Sequence, residues 1–394
     1  MNTQTTPGVD HGPLSPVSEL LGNPAARSAL PTPSLLIEAD ALGRNIARMA
    51  GFARDAGLAL RPHVKTHKSV AIARRQIEAG AVGICCATLD EVEVMAAAGI
   101  RGILLTSTLS TGDKLARYVA VLRQAPDTLL VVDHPQTVRA LGRHLGESDP
   151  SAGVLIDVDI GYHRSGARTS SQIEDVITAV IETPGISLRG IQAYSGAVQH
   201  VAELAAREAA VREQEAMLPP LVRSLTARLG HPLIVSGGGT GTHRIEAATG
   251  ILNELQAGSY VFMDADYGQV DLGSPPAEAF ETALLLRASV TGVNCATDFV
   301  EPFVTIDAGT KAFALNGPPP RCVTSPWEKL GFRFMGDEHA HLLAPSATAL
   351  PPLGAALEFQ VSHCDPTVEH FNHYYVMRGT TLIDIWPVDA RGRR

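Results

Sequence analysis

Eight short apolar runs recur between residues 58 and 262, each separated from the next by a stretch that can form a helix. They read LALRPHVK, VGICCATL, RGILLTST, TLLVVDH, GVLIDVDI, LRGIQAYSG, PLIVSGGG and ELQAGSYVF. Most are rich in Val, Ile and Leu, and several are continuously apolar. A strand with one wet face alternates apolar with polar residues. A strand covered on both faces does not, and such strands belong to parallel sheets flanked by helices. The segments between them, such as DEVEVMAAAG and SQIEDVITAVIET, are compatible with helices. Eight β–α units in roughly 210 residues match a (β/α)8 barrel, with a doubly wound open sheet as the competing α/β arrangement.

The pattern changes near residue 270. Prolines, glycines and β-rich runs follow, including PFVTIDAGTKAFAL, ALEFQVSHC, HYYVMRG and TLIDIWPV, and long helical periodicity stops. This predicts a barrel over residues 31–270 and a smaller, mainly β domain over residues 271–394. Residues 1–30 read as a polar, partly disordered lead-in.

Composition narrows the class of function. The 394 residues carry a formal net charge of −9, which argues against a nucleic-acid partner. An uninterrupted apolar run of about 18 residues, the mark of a membrane span, is missing. The amino terminus lacks the pattern of a secretory signal. Five scattered cysteines do not make a disulfide framework, so a reducing, cytoplasmic setting is expected.

Four places carry chemistry. In RPHVKTHKS, residues 61–69, Lys65 stands at the carboxyl end of the first barrel strand, where barrel active sites form. Partial desolvation there would lower its pKa and make the amine nucleophilic, as a Schiff-base lysine requires. The other reading is a solvated basic turn shared with His63, His67 and Lys68. VSGGGTGTH, residues 235–243, follows the seventh strand. Its glycines, Gly239 among them, let backbone amides approach a phosphate, and Thr240 adds a hydroxyl; the alternative is a plain flexible loop. Gly258 and Ser259 follow the eighth strand, and loops after strands seven and eight commonly hold phosphate in barrels. A phosphate site facing a first-strand lysine suggests pyridoxal phosphate.

FQVSHCDPTVEHF, residues 359–371, offers metal ligands. If the strand continues through it, His363 and Asp365 share a face and Cys364 points away. A His/carboxylate pair with open water positions suits Mn²⁺, Mg²⁺ or Zn²⁺, whereas a polar strand end needs no metal at all. His370 and His373 are weaker candidates. Arg164, after the fifth strand, could meet a phenolate oxygen or simply be a surface arginine. Gln192 and Tyr194 share a face at the end of the sixth strand. His200 follows them as a possible base or holder of metal-bound water.

Taken together, RPHVKTHK, GIQAYSGAVQH, SGGGTGT, ELQAGSYVFMD, DAGTKA and HCDPTV resemble the alanine-racemase-type (fold type III) pyridoxal phosphate enzymes over roughly residues 30–390. Within them the chain is most similar to the group of D-threonine aldolases, 3-hydroxy-D-aspartate aldolases and D-serine dehydratases. The resemblance implies that Lys65 carries the cofactor and that Arg164 contacts its phenolic oxygen. Gly239, Thr240, Gly258 and Ser259 would hold the phosphate, and Gln192 and Tyr194 would line the ring. His363 and Asp365 would bind the divalent metal. It also implies a homodimer, with each site formed between one barrel and the partner's β domain. Asp307 and Lys311 would then lie near the partner's site.

Two departures matter. Where racemases set an arginine against the pyridine nitrogen, this chain has Gln256; a neutral partner is expected to leave that nitrogen less protonated. Where the dehydratases have Cys two residues after the metal histidine, this chain has Asp365, as in the aldolases. The implied reaction is retro-aldol cleavage of a β-hydroxy-D-α-amino acid to glycine and an aldehyde, with His200 or a metal-bound hydroxide as base. Dehydration to a 2-oxo acid and ammonia is the rival, and a non-catalytic pyridoxal phosphate carrier is the rival of another class. A substrate with a second carboxylate would need a cationic partner, for which Arg321, Arg333 and Arg378 are candidates.

Overall fold

The computed structural model describes residues 15–295, 301–344 and 349–392. The first strand, β1 (Ser34–Glu38), stands apart from the eight that follow: β2 (Ala59–Leu60), β3 (Ile84–Cys86), β4 (Ile103–Leu105), β5 (Leu129–Val132), β6 (Ala152–Asp157), β7 (Ile186–Ala193), β8 (Ile234–Gly237) and β9 (Glu254–Leu255). Each of the eight apolar runs supplies one of these. They pair in parallel in the order β2-β9-β8-β7-β6-β5-β4-β3. A parallel bridge between His63 and Cys85 joins the two ends, with Cys85 N donating to Pro62 O at 2.8 Å. The sheet therefore closes into the barrel, not the open alternative. Every residue of β5 and β6 is buried, which is why these runs show no alternation.

Helices start where side chains can satisfy their first amides. Thr88 with Glu91, and Thr169 with Gln172, form reciprocal capping boxes at the helices Leu89–Ala97 and Ser170–Glu182. The caps fix where the chain leaves each strand, and so where the loops at the barrel mouth begin. Among the described residues no helix is long and apolar enough to cross a membrane.

The second sheet contains β10 (Leu284–Asn294), β11 (Phe303–Ile306), β12 (Arg321–Cys322), β13 (Gly331–Phe334), β14 (Ala340–Leu343), β15 (Ala356–Gln360), β16 (His373–Arg378) and β17 (Thr381–Pro387). Its main path runs β13-β14-β11-β10-β1-β16-β17, with β15 joining β10 to β12. β1 lies inside this sheet, antiparallel to β10 and parallel to β16. The barrel span expected from the sequence, residues 31–270, includes this strand, but its pairing assigns it to the β domain. SLLIE is buried like any central strand, and only its pairing shows which sheet it completes.

Residues 15–30 also differ from a loose lead-in. Leu21 bridges to Leu382, Ala26 and Leu30 are buried, and Arg27 reaches Glu38 at 2.5 Å and Glu358 at 2.6 Å. A few apolar residues and one arginine dock this polar segment on the β domain. Residues 1–14 lie outside the described residues.

Candidate active site

The RPHVKTHKS stretch is interior, not a solvated basic turn. His63, His67 and Lys68 are all buried. Lys65 sits one turn past the strand, in a 3-10 turn formed by Val64–Thr66. Both domains clamp this turn. Tyr374 Oη donates to His67 O at 2.6 Å, and Ala390 N donates to Lys68 O at 3.0 Å. Lys68 Nζ pairs with Glu91 of the barrel and Glu369 of the β domain, each at 2.7 Å. Lys68 has a positive φ of 49°, a conformation that its buried ion pairs and the Ala390 hydrogen bond hold in place.

The surroundings of Lys65 overturn one expectation. Its Nζ lies 2.8 Å from Asp365 Oδ1. That carboxylate holds the amine above the ordinary lysine range, against the opposing effect of burial. Burial alone would raise Asp365, but the charge of Lys65, followed by that of His363, holds it well below the usual carboxylate range.

A small group of buried polar residues borders the lysine turn. Tyr260 N donates to Thr240 Oγ1 at 2.9 Å, tying the loop after β8 to the turn after β9. Thr240 and Ser259 are both buried there. A Cβ on Gly258 would stand 2.9 Å from Thr66 Oγ1, so glycine permits the close approach of this turn to the lysine turn. The loop glycines serve differently from the expectation. Gly238 takes a left-handed φ of 65°, while the Gly239 amide is committed to Thr242 Oγ1 at 3.1 Å. The buried hydroxyls of Thr66 and Ser195 have no hydrogen-bond partner. The unpaired Thr66 hydroxyl on the lysine turn, with the buried Thr240 and Ser259 beside the Gly258 approach, fits the phosphate of pyridoxal phosphate.

The other expected cofactor residues are nearby. Arg164 lies over the rings of Tyr162 and Tyr194, 5.5 and 5.2 Å from their centroids. Gln192 is fully buried and donates to Asp157 Oδ1 at 2.9 Å and Thr106 O at 3.2 Å. Gln256 joins it, donating to Gln192 Oε1 at 3.2 Å.

His363 and Asp365 do converge, but not through strand alternation. The strand ends at Gln360, and Cys364–Val368 forms one helical turn with His363 at its cap. His363 Nε2 lies 3.6 Å from Asp365 Oδ2. Cys364 turns into the core because of this turn, and its amide donates to Asp264 Oδ2 at 2.9 Å. Asp264 also stands 3.5 Å from His363 Nδ1, leaving Nε2 toward Asp365. Although burial opposes it, the paired carboxylates Asp264 and Asp365 raise the His363 pKa. Both Asp365 oxygens are buried; Oδ1 meets the Lys65 ammonium at 2.8 Å, and Oδ2 has no hydrogen-bond partner. With His363 Nε2 turned toward that carboxylate, one ring nitrogen and one carboxylate fit a divalent cation. Among the described residues no group of three or more His, Cys, Asp or Glu converges on a metal position. The pair would thus leave most coordination positions to water and substrate.

His200 ends the 3-10 turn Ala197–His200, and its ring is 6.5 Å from that of His363. Its Nδ1 is 2.9 Å from Asp266 Oδ2. Asp264 and Asp266 were not singled out from the sequence. The D-A-D run just beyond the last barrel strand is the signal that points to them. Of the arginine candidates, Arg378 pairs with Asp40 at 3.1 Å, while Arg321 and Arg333 lie exposed on β12 and β13. Lys311 is exposed and pairs with Glu338 at 2.6 Å.

Comparison with known proteins places this geometry. Residues 37–266 match the profile described as alanine racemase, N-terminal domain, and residues 283–377 match a putative serine dehydratase domain. The chain is 34% identical to a D-threonine aldolase of an Arthrobacter species, over 94% of this chain and 95% of that one. It is 31% identical to a 3-hydroxy-D-aspartate aldolase of Paracoccus denitrificans (strain Pd 1222), over 93% of each. The crystal structure of a D-threonine aldolase from Filomicrobium marinum superposes with a TM-score of 0.85 at 32% identity, covering 93% of this chain and 96% of that one. With a matched barrel, a matched β domain and relatives similar over nearly their whole length, the chain belongs to the alanine racemase N-terminal domain family.

Proposed function

We propose that this protein is a pyridoxal phosphate- and divalent-metal-dependent aldolase. It cleaves β-hydroxy-D-α-amino acids of the D-threonine type to glycine and an aldehyde. The observation that carries this reading is the 2.8 Å contact between Lys65 Nζ and Asp365, itself paired with His363. An amine suited to carry the cofactor and a donor pair suited to a cation meet at one point, where the substrate's α-amine and β-hydroxyl are also neighbours.

Pyridoxal phosphate, when bound, supplies the electron sink for the pair left on Cα as the Cα–Cβ bond breaks. A divalent cation, when bound, lowers the pKa of the β-hydroxyl. The chain's own residues do the rest. Lys65 anchors the cofactor, and Thr240 and Ser259 hold its phosphate. Arg164, Gln192, Tyr194 and Gln256 surround the ring. His363 and Asp365 hold the cation, with Asp264 orienting His363. His200, its Nδ1 turned to Asp266, offers Nε2 as the acceptor for the hydroxyl proton. Asp365 in the position where dehydratases have cysteine supports cleavage over dehydration. The His363–Asp365 pair argues against a passive carrier. We extend the proposal to a homodimer, the assembly implied by the family resemblance.

Reduction of the cofactor-loaded protein with borohydride, followed by peptide mapping, tests the anchor. The label is expected on Lys65 and nowhere else. A label on another lysine, with Lys65→Ala still turning over substrate, would remove the scheme.

A further inference from the structure

A chain of buried polar side chains runs from the barrel mouth into the barrel interior, and each hydrogen bond in it has a fixed direction. Gln192 Nε2 donates to Thr106 O at 3.2 Å and to Asp157 Oδ1 at 2.9 Å. A backbone carbonyl can only accept, so the Gln192 amide is not free to flip, and its Oε1 faces the other way. Gln256 Nε2 donates to that Oε1 at 3.2 Å and to Ser236 Oγ at 3.0 Å. Ser236 gives its own hydrogen to Glu254 Oε1 at 2.7 Å and so offers Gln256 only a lone pair. Arg61 Nη2 holds the other Glu254 oxygen at 2.8 Å. Gln192, Ser236, Glu254 and Gln256 are all buried, so water does not loosen the order.

Both amide hydrogens of Gln256 are therefore spent. The part of its amide that the network leaves over is the carbonyl oxygen, which can only accept.

We propose that Gln256, locked in this orientation, accepts a hydrogen bond from the protonated ring nitrogen of the cofactor. This rests on the reading of the site as a pyridoxal phosphate site. In that cofactor the ring nitrogen lies opposite the ring carbon that bears the lysine-linked carbonyl, so it points away from Lys65. Gln256 follows β9, two residues before the Gly258–Ser259 turn. The consequence reverses what the neutrality of glutamine suggests. An arginine, which only donates, disfavours a proton on the nitrogen. An oriented amide oxygen favours one, and with it a stronger pull on the electron pair left at Cα.

The test is nitrogen-15 magnetic resonance of the protein loaded with ring-labelled pyridoxal phosphate. The wild type is expected to show the resonance of a protonated or hydrogen-bonded ring nitrogen. Gln256→Glu keeps an acceptor and keeps that resonance. Gln256→Leu shifts it to the unprotonated position. The double variant Gln192→Met/Ser236→Ala, which removes both acceptors of the Gln256 amide hydrogens and so frees it to flip, shifts it in the same direction. An unprotonated nitrogen in the wild type, or a protonated one that persists in Gln256→Leu, overturns the proposal. If Gln256→Leu does not fold, an unshifted resonance in Gln192→Met/Ser236→Ala overturns the directional lock. A wild-type protein that takes up no pyridoxal phosphate overturns the cofactor reading itself, an outcome distinct from normal uptake with an unprotonated ring.

Discussion

Lys65 Nζ and Asp365 Oδ1 stand 2.8 Å apart, linking the barrel to the β domain at the point where the proposed cofactor and cation meet. In the free chain the ammonium pairs with the carboxylate that the proposed cation would use. On that proposal, lysine and metal compete for one carboxylate. Mn²⁺ is expected to raise the melting temperature of the wild type, and to raise that of Lys65→Ala more. At a concentration one hundred times its dissociation constant, the gain should approach about 2.7 kcal/mol. Thermal scans with and without Mn²⁺ check this, and an equal shift in both proteins would deny the competition.

Asp264 stands behind His363 and fixes which ring nitrogen faces the site. Asp264→Asn should weaken metal affinity by about 10–100-fold, the usual cost of losing a carboxylate behind a ligating histidine. Mn²⁺ titration of activity, together with direct metal binding, separates this from a folding defect. Restored activity at high Mn²⁺ is the expected signature.

His200 is the proposed proton acceptor, with Asp266 2.9 Å from its Nδ1. His200→Asn should lower kcat by about 10²–10⁴-fold, the range for general acid–base groups, while KM changes little. Asp266→Asn should produce a smaller loss in kcat with the same pattern. A KM effect without a kcat effect would make the pair a binding feature.

Two buried histidines predict acid sensitivity. Burial pushes the pKa of His67 and of His243 down to about 4. His67 donates through Nε2 to Gln76 and accepts from Ser69 N at Nδ1, an arrangement that needs the neutral ring. Above pH 6.5 both are neutral, folded or unfolded, and stability is unaffected. Between about pH 6.5 and 4 the unfolded chain binds protons that the folded one does not, so stability falls as pH falls, by up to about 3 kcal/mol per histidine. Denaturant midpoints over this range check the slope. A midpoint independent of pH would mean that these rings are not held neutral.

The barrel was legible because strands buried on both faces leave continuous apolar runs, and each of the eight runs holds a strand. β1 was not, because SLLIE looks the same whichever sheet it completes. Lys65 and the His363–Asp365 pair were legible as residue types in telling places. Their 2.8 Å contact was not, since nothing local to residue 65 shows a carboxylate 300 positions away. That contact also reversed the expected direction of the lysine's pKa. The convergence of His363 and Asp365 was anticipated for the wrong local reason: a helical turn that includes Pro366, not a pleated strand, brings them together. Gly239 shows the limit of motif reading. A glycine-rich loop announces close approach, but not which amides its own threonines have already taken.

Product analysis tests the central claim most directly. Purified protein is mixed with D-threonine, pyridoxal phosphate and Mn²⁺, and the products are identified. The account predicts glycine and acetaldehyde in equal amounts, lost when the metal is chelated. 2-Oxobutanoate with ammonia would contradict it and assign the same residues to dehydration.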